Sequence, residues 1–107
     1  METTQAVDSL AALAHPSRLA IFRLLVKTGP QGMAAGAIGE KLKVPGATLS
    51  FHLATLSHAG LVKGRQDGRF VIYSADFPNM LALVDYLTEN CCSGAACSPV
   101  RRSTAKA

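Results

Sequence analysis

The chain has 107 residues, a formal net charge of +4, and hydrophobic residues at 49% of its positions. This length predicts one domain with enough apolar residues for a core. Its three cysteines cannot all pair within one chain, which argues against a secreted disulfide framework. No apolar run approaches the roughly 18–20 residues of a membrane span, and residues 1–15 lack the basic start of a secretory signal. We therefore expect a cytoplasmic protein without a membrane partner, whose thiols are available for metal, metalloid or redox chemistry.

Two helices are predicted in the first third of the chain. In residues 4–14 the apolar residues at helical spacing are Val7, Leu10, Ala11 and Ala14. A second helix is predicted to start at Pro16, because proline is tolerated in the first turn of a helix. Its broad apolar face consists of Leu19, Ile21, Phe22, Leu25 and Val26, and the glycines and proline of TGPQG end it.

Two further helices with a tight break between them are predicted next. The third helix, residues 34–42, has Ile38 and Leu42 as its apolar contacts, and KVPG interrupts the chain after it. The fourth helix, residues 46–58, is followed by Gly60, which fits a C-terminal cap. Two short helices in this order are typical of a helix-turn-helix, in which the second helix enters the DNA major groove.

A β-hairpin and a last helix complete the predicted order. The dipeptide Asp67-Gly68 separates two β-rich runs and predicts a two-residue hairpin turn. Asp76 and Pro78 mark the start of the last helix, which is predicted to end near Asn90. The predicted fold is therefore mainly α with a small β-hairpin, a winged helix-turn-helix.

The fourth helix is the candidate DNA-reading helix because its two sides differ. At about 100° per residue, Leu49, Leu53 and Leu56 share an apolar side. The opposite side carries Ala47, Thr48, Phe51 and Thr55, with His52 on a flank and Ser50 nearer the core edge. Its hydroxyls and aromatic ring suit phosphates, base edges and thymine methyls, and we expect His52 to contact DNA as well. The alternatives are that Phe51 packs against a neighbouring element and that His52 is an ordinary surface residue.

Basic residues gather near this helix and in the hairpin. Lys41, Lys43, Lys63, Arg65 and Arg69 are accompanied in residues 41–69 only by the acid Asp67. Such a cluster suits nucleic acid, although an ordinary solvated surface is the alternative. In a winged helix, the hairpin residues Lys63, Arg65 and Arg69 would reach neighbouring phosphates or the minor groove.

Two stretches of this chain resemble the ArsR/SmtB transcriptional repressors. The first, LAHPSRLAIFRLLVKTG, resembles their second helix. The other, LSFHLATLSHAGLVKGRQDGRFVIYSA, resembles their recognition helix followed by the wing. The resemblance covers about residues 7–90, and the run from Ser50 to Val62 is its most specific part. It implies a homodimer built through the first and last helices that binds double-stranded operator DNA and is released by an inducing ion. Residues 1–90 would then form the DNA-binding and dimerisation domain, and residues 91–107 a metalloid-binding loop and basic tail.

Members of this family hold their inducers at different places. The stretch before the recognition helix here lacks the cysteine motif of one arsenic-type site, and the last helix has Asp85 and Glu89 but no histidine for a zinc-type site. Some arsenic-responsive members have a vicinal cysteine pair and a third cysteine after the last helix, which CCSGAAC resembles. The resemblance therefore implies a ligand set of Cys91, Cys92 and Cys97.

Three thiolates suit a particular class of ion. Soft sulfur ligands select soft ions, and trivalent arsenic or antimony is satisfied by three sulfurs, whereas tetrahedral zinc needs a fourth ligand. We therefore expect As(III) or Sb(III) as the inducer, with a Cd/Pb/Zn-responsive or thiol-redox-responsive repressor as the alternative. A thiol-dependent reductase or a metal-buffering protein would be a different class, but the sequence has no cofactor motif and no nucleophile–base pair. We do not expect an enzyme.

Overall fold

A computed structural model describes residues 1–94 of the chain. In this part the helices are α1 (Thr3–Leu13), α2 (Pro16–Thr28), α3 (Ala35–Leu42), α4 (Gly46–His58) and α5 (Phe77–Thr88). The strands are β1 (Met33–Ala34), β2 (Val62–Asp67) and β3 (Phe70–Ala75), and a 3₁₀ turn at Cys91–Gly94 follows α5. This order confirms the predicted mainly α fold of the winged helix-turn-helix type.

Local signals explain why α2 and α5 begin where they do. The His15 side chain accepts a hydrogen bond from the Ser17 backbone N–H at 3.1 Å and so caps α2, whose first residue is Pro16. The Asp76 carboxylate caps α5 in the same way by accepting from the Asn79 backbone N–H at 3.1 Å. The predicted starts of both helices are confirmed to within one residue.

The sheet has one strand more than was predicted. Its order is β1-β3-β2, and β1 pairs antiparallel with β3 through Met33 opposite Tyr73 and Ala34 opposite Ile72. A Cβ at Gly32 would lie 2.5 Å from the Tyr73 carbonyl oxygen, so this close approach of two backbones requires glycine. A two-residue strand carries no periodic signal, which is why the sequence indicated only a hairpin.

The hairpin is confirmed, but its turn lies one residue later than predicted. Asp67 pairs with Phe70, so Gly68 and Arg69 are the two turn residues. Gly68 has φ 63°, and no positive φ occurs at Arg69. Glycine with positive φ at the first central position is the pattern of a type II′ turn, whereas the predicted Asp67-Gly68 turn would have been type I′.

The core lies between α2, α3, α4 and the sheet. Its most deeply buried apolar residues are Ile21, Leu25, Ile38, Leu53, Leu56 and Leu61. Helix α1 differs from its prediction, since the buried residues are Ala6, Ser9 and Ala12. The predicted stripe of Val7, Leu10, Ala11 and Ala14 is exposed, and so is Leu19 on α2.

Among residues 1–94 no single helix is both long and apolar enough to cross a bilayer. Helices α1 and α2 meet the length and composition criteria only as a pair, and they are bent by 102° relative to each other.

Candidate nucleic-acid interface and thiol pair

One side of α4 is exposed and carries most of the predicted contact residues. Ala47, Thr48, Ser50 and Phe51 are exposed, and we call these four the reading face. Phe51 is 65% exposed, so among residues 1–94 it does not pack into a neighbouring element. Ser50 was expected near the core edge and is exposed instead. Thr55 is half-buried, and its hydroxyl donates to the Phe51 carbonyl oxygen at 3.1 Å.

His52 is the predicted contact residue that the structure places elsewhere. Only 5% of its surface is exposed, so it belongs to the inward half of α4 rather than to a flank. Its Nδ1 lies 3.4 Å from Arg18 Nη1, and its ring centroid lies 4.7 Å from that of His15. Burial, followed by the neighbouring His15 and Arg18, lowers the pKa of His52 below its ordinary value of 6.5. In this arrangement His52 is a packed residue and not a surface that DNA can reach.

The hairpin presents the three predicted basic residues to solvent. Lys63, Arg65 and Arg69 are all exposed, and Lys63 and Arg65 point to the same side of β2 because they are two residues apart. The Arg65 guanidinium donates from Nη2 to the Gln31 carbonyl oxygen at 2.9 Å, which holds it against the segment that follows α2. Among residues 1–94, no hydrogen bond to another segment holds Lys63 or Arg69 in this way.

Two exposed residues near this surface were missed by the sequence analysis. Ala54 is exposed on the same side of α4 as the reading face, but a small apolar side chain carries no chemical signal in the sequence. Phe70 is 59% exposed and directly follows the hairpin turn. An aromatic residue next to a turn was a signal that could have identified it.

The segment between α4 and β2 connects the end of α4 to α5. Gly60, with φ 79°, ends α4, as predicted for its C-terminal cap. The Leu61 backbone N–H donates to the Leu56 carbonyl oxygen at 3.0 Å, and the Asn79 side chain donates to the Gly60 carbonyl oxygen at 2.7 Å. The end of α4 is thereby tied to the start of α5.

The vicinal cysteines lie just beyond α5. Cys91 is half-buried, Cys92 is exposed, and their Sγ atoms are 3.6 Å apart. With metal–sulfur bonds of about 2.3 Å, two thiolates on one tetrahedral ion stand roughly 3.8 Å apart, so both sulfurs could contact a single ion. Cys97 lies outside the described residues. Within residues 1–94, no group of three or more His, Cys, Asp or Glu side chains is arranged to hold a metal ion.

An apolar surface runs along the outer sides of α1 and α5. It comprises Val7, Leu10, Leu81, Val84 and Leu87, each between 43% and 56% exposed, and we call it the α1–α5 face. The two helices are joined by a hydrogen bond of 2.6 Å between the hydroxyls of Thr3 and Tyr86. Isolated exposed aliphatic residues are ordinary, whereas five on two adjoining helices are a candidate contact surface.

The comparison with known proteins identifies the family. A family model described as a helix-turn-helix domain matches residues 13–65. The nodulation protein NolR of Rhizobium meliloti is 34% identical over 84 residues, which are 78% of this chain and 66% of NolR. The chain thus spans slightly less than two thirds of that relative.

Two solved structures extend the likeness over most of the chain. One, described as a possible transcriptional regulator for arsenical resistance, is 30% identical with a TM-score of 0.66, covering 94% of this chain and 96% of the other. The second is the homodimeric winged helix-turn-helix domain of Mb0332 from Mycobacterium bovis, a possible ArsR-family regulator. It is 28% identical with a TM-score of 0.63, covering 89% and 88% of the two chains. This chain therefore belongs to the helix-turn-helix transcriptional regulators, a non-enzymatic family, and within them to the ArsR-like winged-helix proteins.

Proposed function

We propose that this chain is a repressor that binds operator DNA as a homodimer. In this proposal, DNA is released when the Cys91, Cys92 and Cys97 thiolates bind As(III) or Sb(III). The observation that carries the proposal is the pair of cysteine sulfurs 3.6 Å apart just beyond α5, the helix that supplies three residues of the α1–α5 face. An inducer held there would act directly on the surface through which the two copies meet.

DNA binding is assigned to the reading face and the hairpin. Thr48 and Ser50 offer hydroxyls, and the exposed Phe51 ring can meet thymine methyl groups in a major groove. Lys63, Arg65 and Arg69 would contact the phosphates beside the groove, and these contacts would supply most of the affinity because counterions are released. Thr55 would support Phe51 through its hydrogen bond rather than by a contact of its own. His52 is not retained as a direct contact, because it is buried.

Homodimerisation is assigned to the α1–α5 face. Five exposed aliphatic side chains would leave water when two copies pack against each other, and apolar burial is the main driving force of such association. The homodimeric state of the Mb0332 domain supports a homodimer here, and the exposed apolar residues supply the argument for this face. A two-fold axis would present two reading faces to the two halves of an inverted repeat.

The donor set supports a soft trivalent ion. Cys91 and Cys92 supply two sulfurs, and Cys97 is close enough along the chain, five residues after Cys92, to supply the third. Three thiolates complete the pyramidal coordination of As(III) or Sb(III), whereas zinc would need a fourth ligand. The similarity to a possible regulator for arsenical resistance favours the same inducer class.

Inducer binding would reach DNA through α5. After α5 the chain adopts positive φ values at Asn90, Cys92 and Ser93, which are uncommon for residues other than glycine. Cys91, Cys92 and Cys97 would draw this turn into one fixed geometry on binding an ion and so shift the end of α5. Since α5 belongs to the α1–α5 face, the two reading helices would change their separation or orientation. Binding of the ion and of DNA would then be coupled reciprocally.

The test is the fluorescence anisotropy of labelled DNA from upstream of this protein's own gene, titrated with the protein at fixed salt. Addition of arsenite or antimonite should release the DNA, whereas zinc and cadmium should leave it bound. Release by zinc or cadmium alone would replace the metalloid assignment with the Cd/Pb/Zn alternative. Release by an oxidant that a reductant reverses would favour the thiol-redox alternative, which the short distance between the two sulfurs also permits. Absence of DNA binding in every condition would refute the repressor assignment.

A further inference from the structure

His52 lies where three helices meet, turned away from the reading face. It is 5% exposed, whereas the neighbouring Phe51 is 65% exposed. The His52 and His15 rings have centroids 4.7 Å apart and planes inclined at 49°. Arg18 Nη1 approaches His52 Nδ1 to 3.4 Å, a long hydrogen bond. We call these three residues the His15–Arg18–His52 cluster, and it joins α4 to the start of α2.

The same arginine also contacts α1. Its Nε donates to the Ala12 carbonyl oxygen at 2.7 Å. Ala12 lies in the last turn of α1, where carbonyl groups have no partner within the helix. One guanidinium group therefore bridges α1, which carries part of the α1–α5 face, and α4, which carries the reading face. The cluster is a polar connection between these two surfaces.

The hydrogen bond from Arg18 requires the His52 imidazole to be uncharged. Arginine has donors only, so His52 Nδ1 must accept from Arg18 and its ring proton must reside on Nε2. His15 Nδ1 accepts from the Ser17 backbone N–H, which holds the His15 ring beside that of His52. A proton added to His52 Nδ1 would replace an accepted hydrogen bond by two positive groups facing each other.

Few charges surround the cluster, and they come from three helices. Helix α2 and its cap supply Arg18 and His15, which both oppose a charge on His52. Asp8 from α1 and His58 from α4 line the adjoining groove together with Arg18. Burial is the largest cause of the lowered pKa of His52, followed by His15 and then Arg18, and no carboxylate in the described part of the chain raises it.

We propose that the His15–Arg18–His52 cluster is a proton-sensitive switch, in which uncharged His52 holds α4 in its DNA-reading position and protonated His52 releases it. His52 is a positioning residue in this scheme, since it acts through Arg18 and the orientation of α4 and does not contact DNA. The inference rests on the proposed DNA-binding function. It adds a response to acid that is independent of the cysteines.

The direction of the pH response follows from the lowered pKa. The folded chain holds fewer protons on His52 than the unfolded chain does, so the uncharged cluster contributes its full stability above pH 6.5. That contribution is lost as the pH falls below 6.5 and through the lowered pKa of His52. Acidification by itself adds positive charge to the protein, which strengthens attraction to a polyanion. Weaker DNA binding in acid would therefore be opposite to the general electrostatic effect.

The experiment measures operator affinity by anisotropy from about pH 7.5 to about pH 5.5 at constant ionic strength. Three full-length proteins are compared: wild type, His52→Gln and His58→Gln. The glutamine at position 52 can still accept a hydrogen bond from Arg18 but cannot be protonated. Wild type and His58→Gln should weaken by at least about fivefold across this range, and His52→Gln by less than about twofold. A His52→Gln profile that falls as steeply as that of wild type would overturn the proposal.

A second measurement does not depend on DNA or on the variant folding. NMR titration of the wild-type protein follows the His52 ring together with the backbone amides of α4. We expect His52 to titrate below its ordinary pKa of 6.5, with the α4 amides shifting in the same step as the His52 ring. Titration of His52 at or above 6.5, or without a shift of the α4 amides, would overturn the proposal. If the wild-type protein binds no operator DNA at any pH, the proposed DNA-binding function fails. The NMR titration then tests by itself whether protonation of His52 moves α4.

Discussion

The two exposed surfaces of this molecule differ in the kind of contact that they can make. The reading face presents small and hydroxyl-bearing residues with one aromatic ring, beside a basic hairpin. The α1–α5 face presents aliphatic side chains only, about half exposed. In the proposed function, DNA would contact the first surface and leave the second exposed to water, whereas a second copy of the chain would cover the second. Recognition and assembly would then occupy different helices, so each could be disrupted without the other.

The largest effect is expected from a charge on the α1–α5 face. Leu81→Glu should convert the dimer to a monomer and weaken operator binding by about a hundredfold or more, because an unpaired buried charge costs about 3–5 kcal/mol. Sedimentation velocity and anisotropy measure the two effects. Leu19→Glu is the control, since Leu19 is similarly exposed but lies on α2. A Leu81→Glu protein that remains dimeric would remove the assembly role from this face.

Cysteine substitutions should impair the response to arsenite without impairing operator binding. Cys92→Ser is expected to leave operator affinity within about twofold of wild type and to raise the arsenite concentration for half-release at least about tenfold. Cys91→Ser and Cys97→Ser should behave alike, because each removes one of the three thiolates. Ser93→Ala is the matched neighbour and should respond as wild type. Loss of DNA binding in all three cysteine variants, with folding intact, would contradict separate sites.

The reading face should be sensitive to loss of its aromatic ring. Phe51→Ala is expected to weaken operator binding about tenfold, within the range of about 1–3 kcal/mol for a base contact. Its melting temperature should stay near that of wild type, because the ring is 65% exposed and contributes little to the core. Ser57→Ala, exposed near the end of α4, serves as the control. A large drop in the melting temperature of Phe51→Ala would show that Phe51 stabilises the fold by packing.

The smallest effects are expected in the hairpin. Lys63→Gln and Arg69→Gln should each weaken binding only a few-fold and lower the slope of log affinity against log salt by about 1, since each removes one phosphate contact. Anisotropy at several salt concentrations measures the slope. Lys27→Gln, exposed in the last turn of α2, should leave the slope unchanged. Unchanged slopes for Lys63→Gln and Arg69→Gln would place the hairpin away from DNA.

Element boundaries were predictable where local chemistry sets them. Asp76 caps α5, Gly60 ends α4, and Pro16 begins α2, each through a contact with residues close in sequence. Strand β1 was not predictable, because its two residues are ordered by the distant partner β3. The hairpin turn was displaced by one residue because the pairing of Asp67 with Phe70, and not the Asp-Gly dipeptide, sets the register.

The candidate site was predictable only where local helical spacing decides which side chains are exposed. Helical spacing brought Ala47, Thr48 and Phe51 onto one side of α4, and the structure has them exposed together. Spacing could not decide the side of His52, which lies near the boundary of the apolar half. Its burial follows from His15 and Arg18, residues more than thirty positions earlier in the chain.

By itself the sequence determined the order of the helices, the hairpin and the clustering of the three cysteines, because capping, helical spacing and composition are local properties of the chain. Only the tertiary structure decided which apolar stripe of α1 faces solvent, where His52 lies, and how close the sulfurs of Cys91 and Cys92 stand. These features depend on the way in which α1, α2 and α4 pack, and on the backbone that follows α5. Residue spacing does not predict this packing or this backbone, because the environment of each side chain is set by residues that are distant in the sequence.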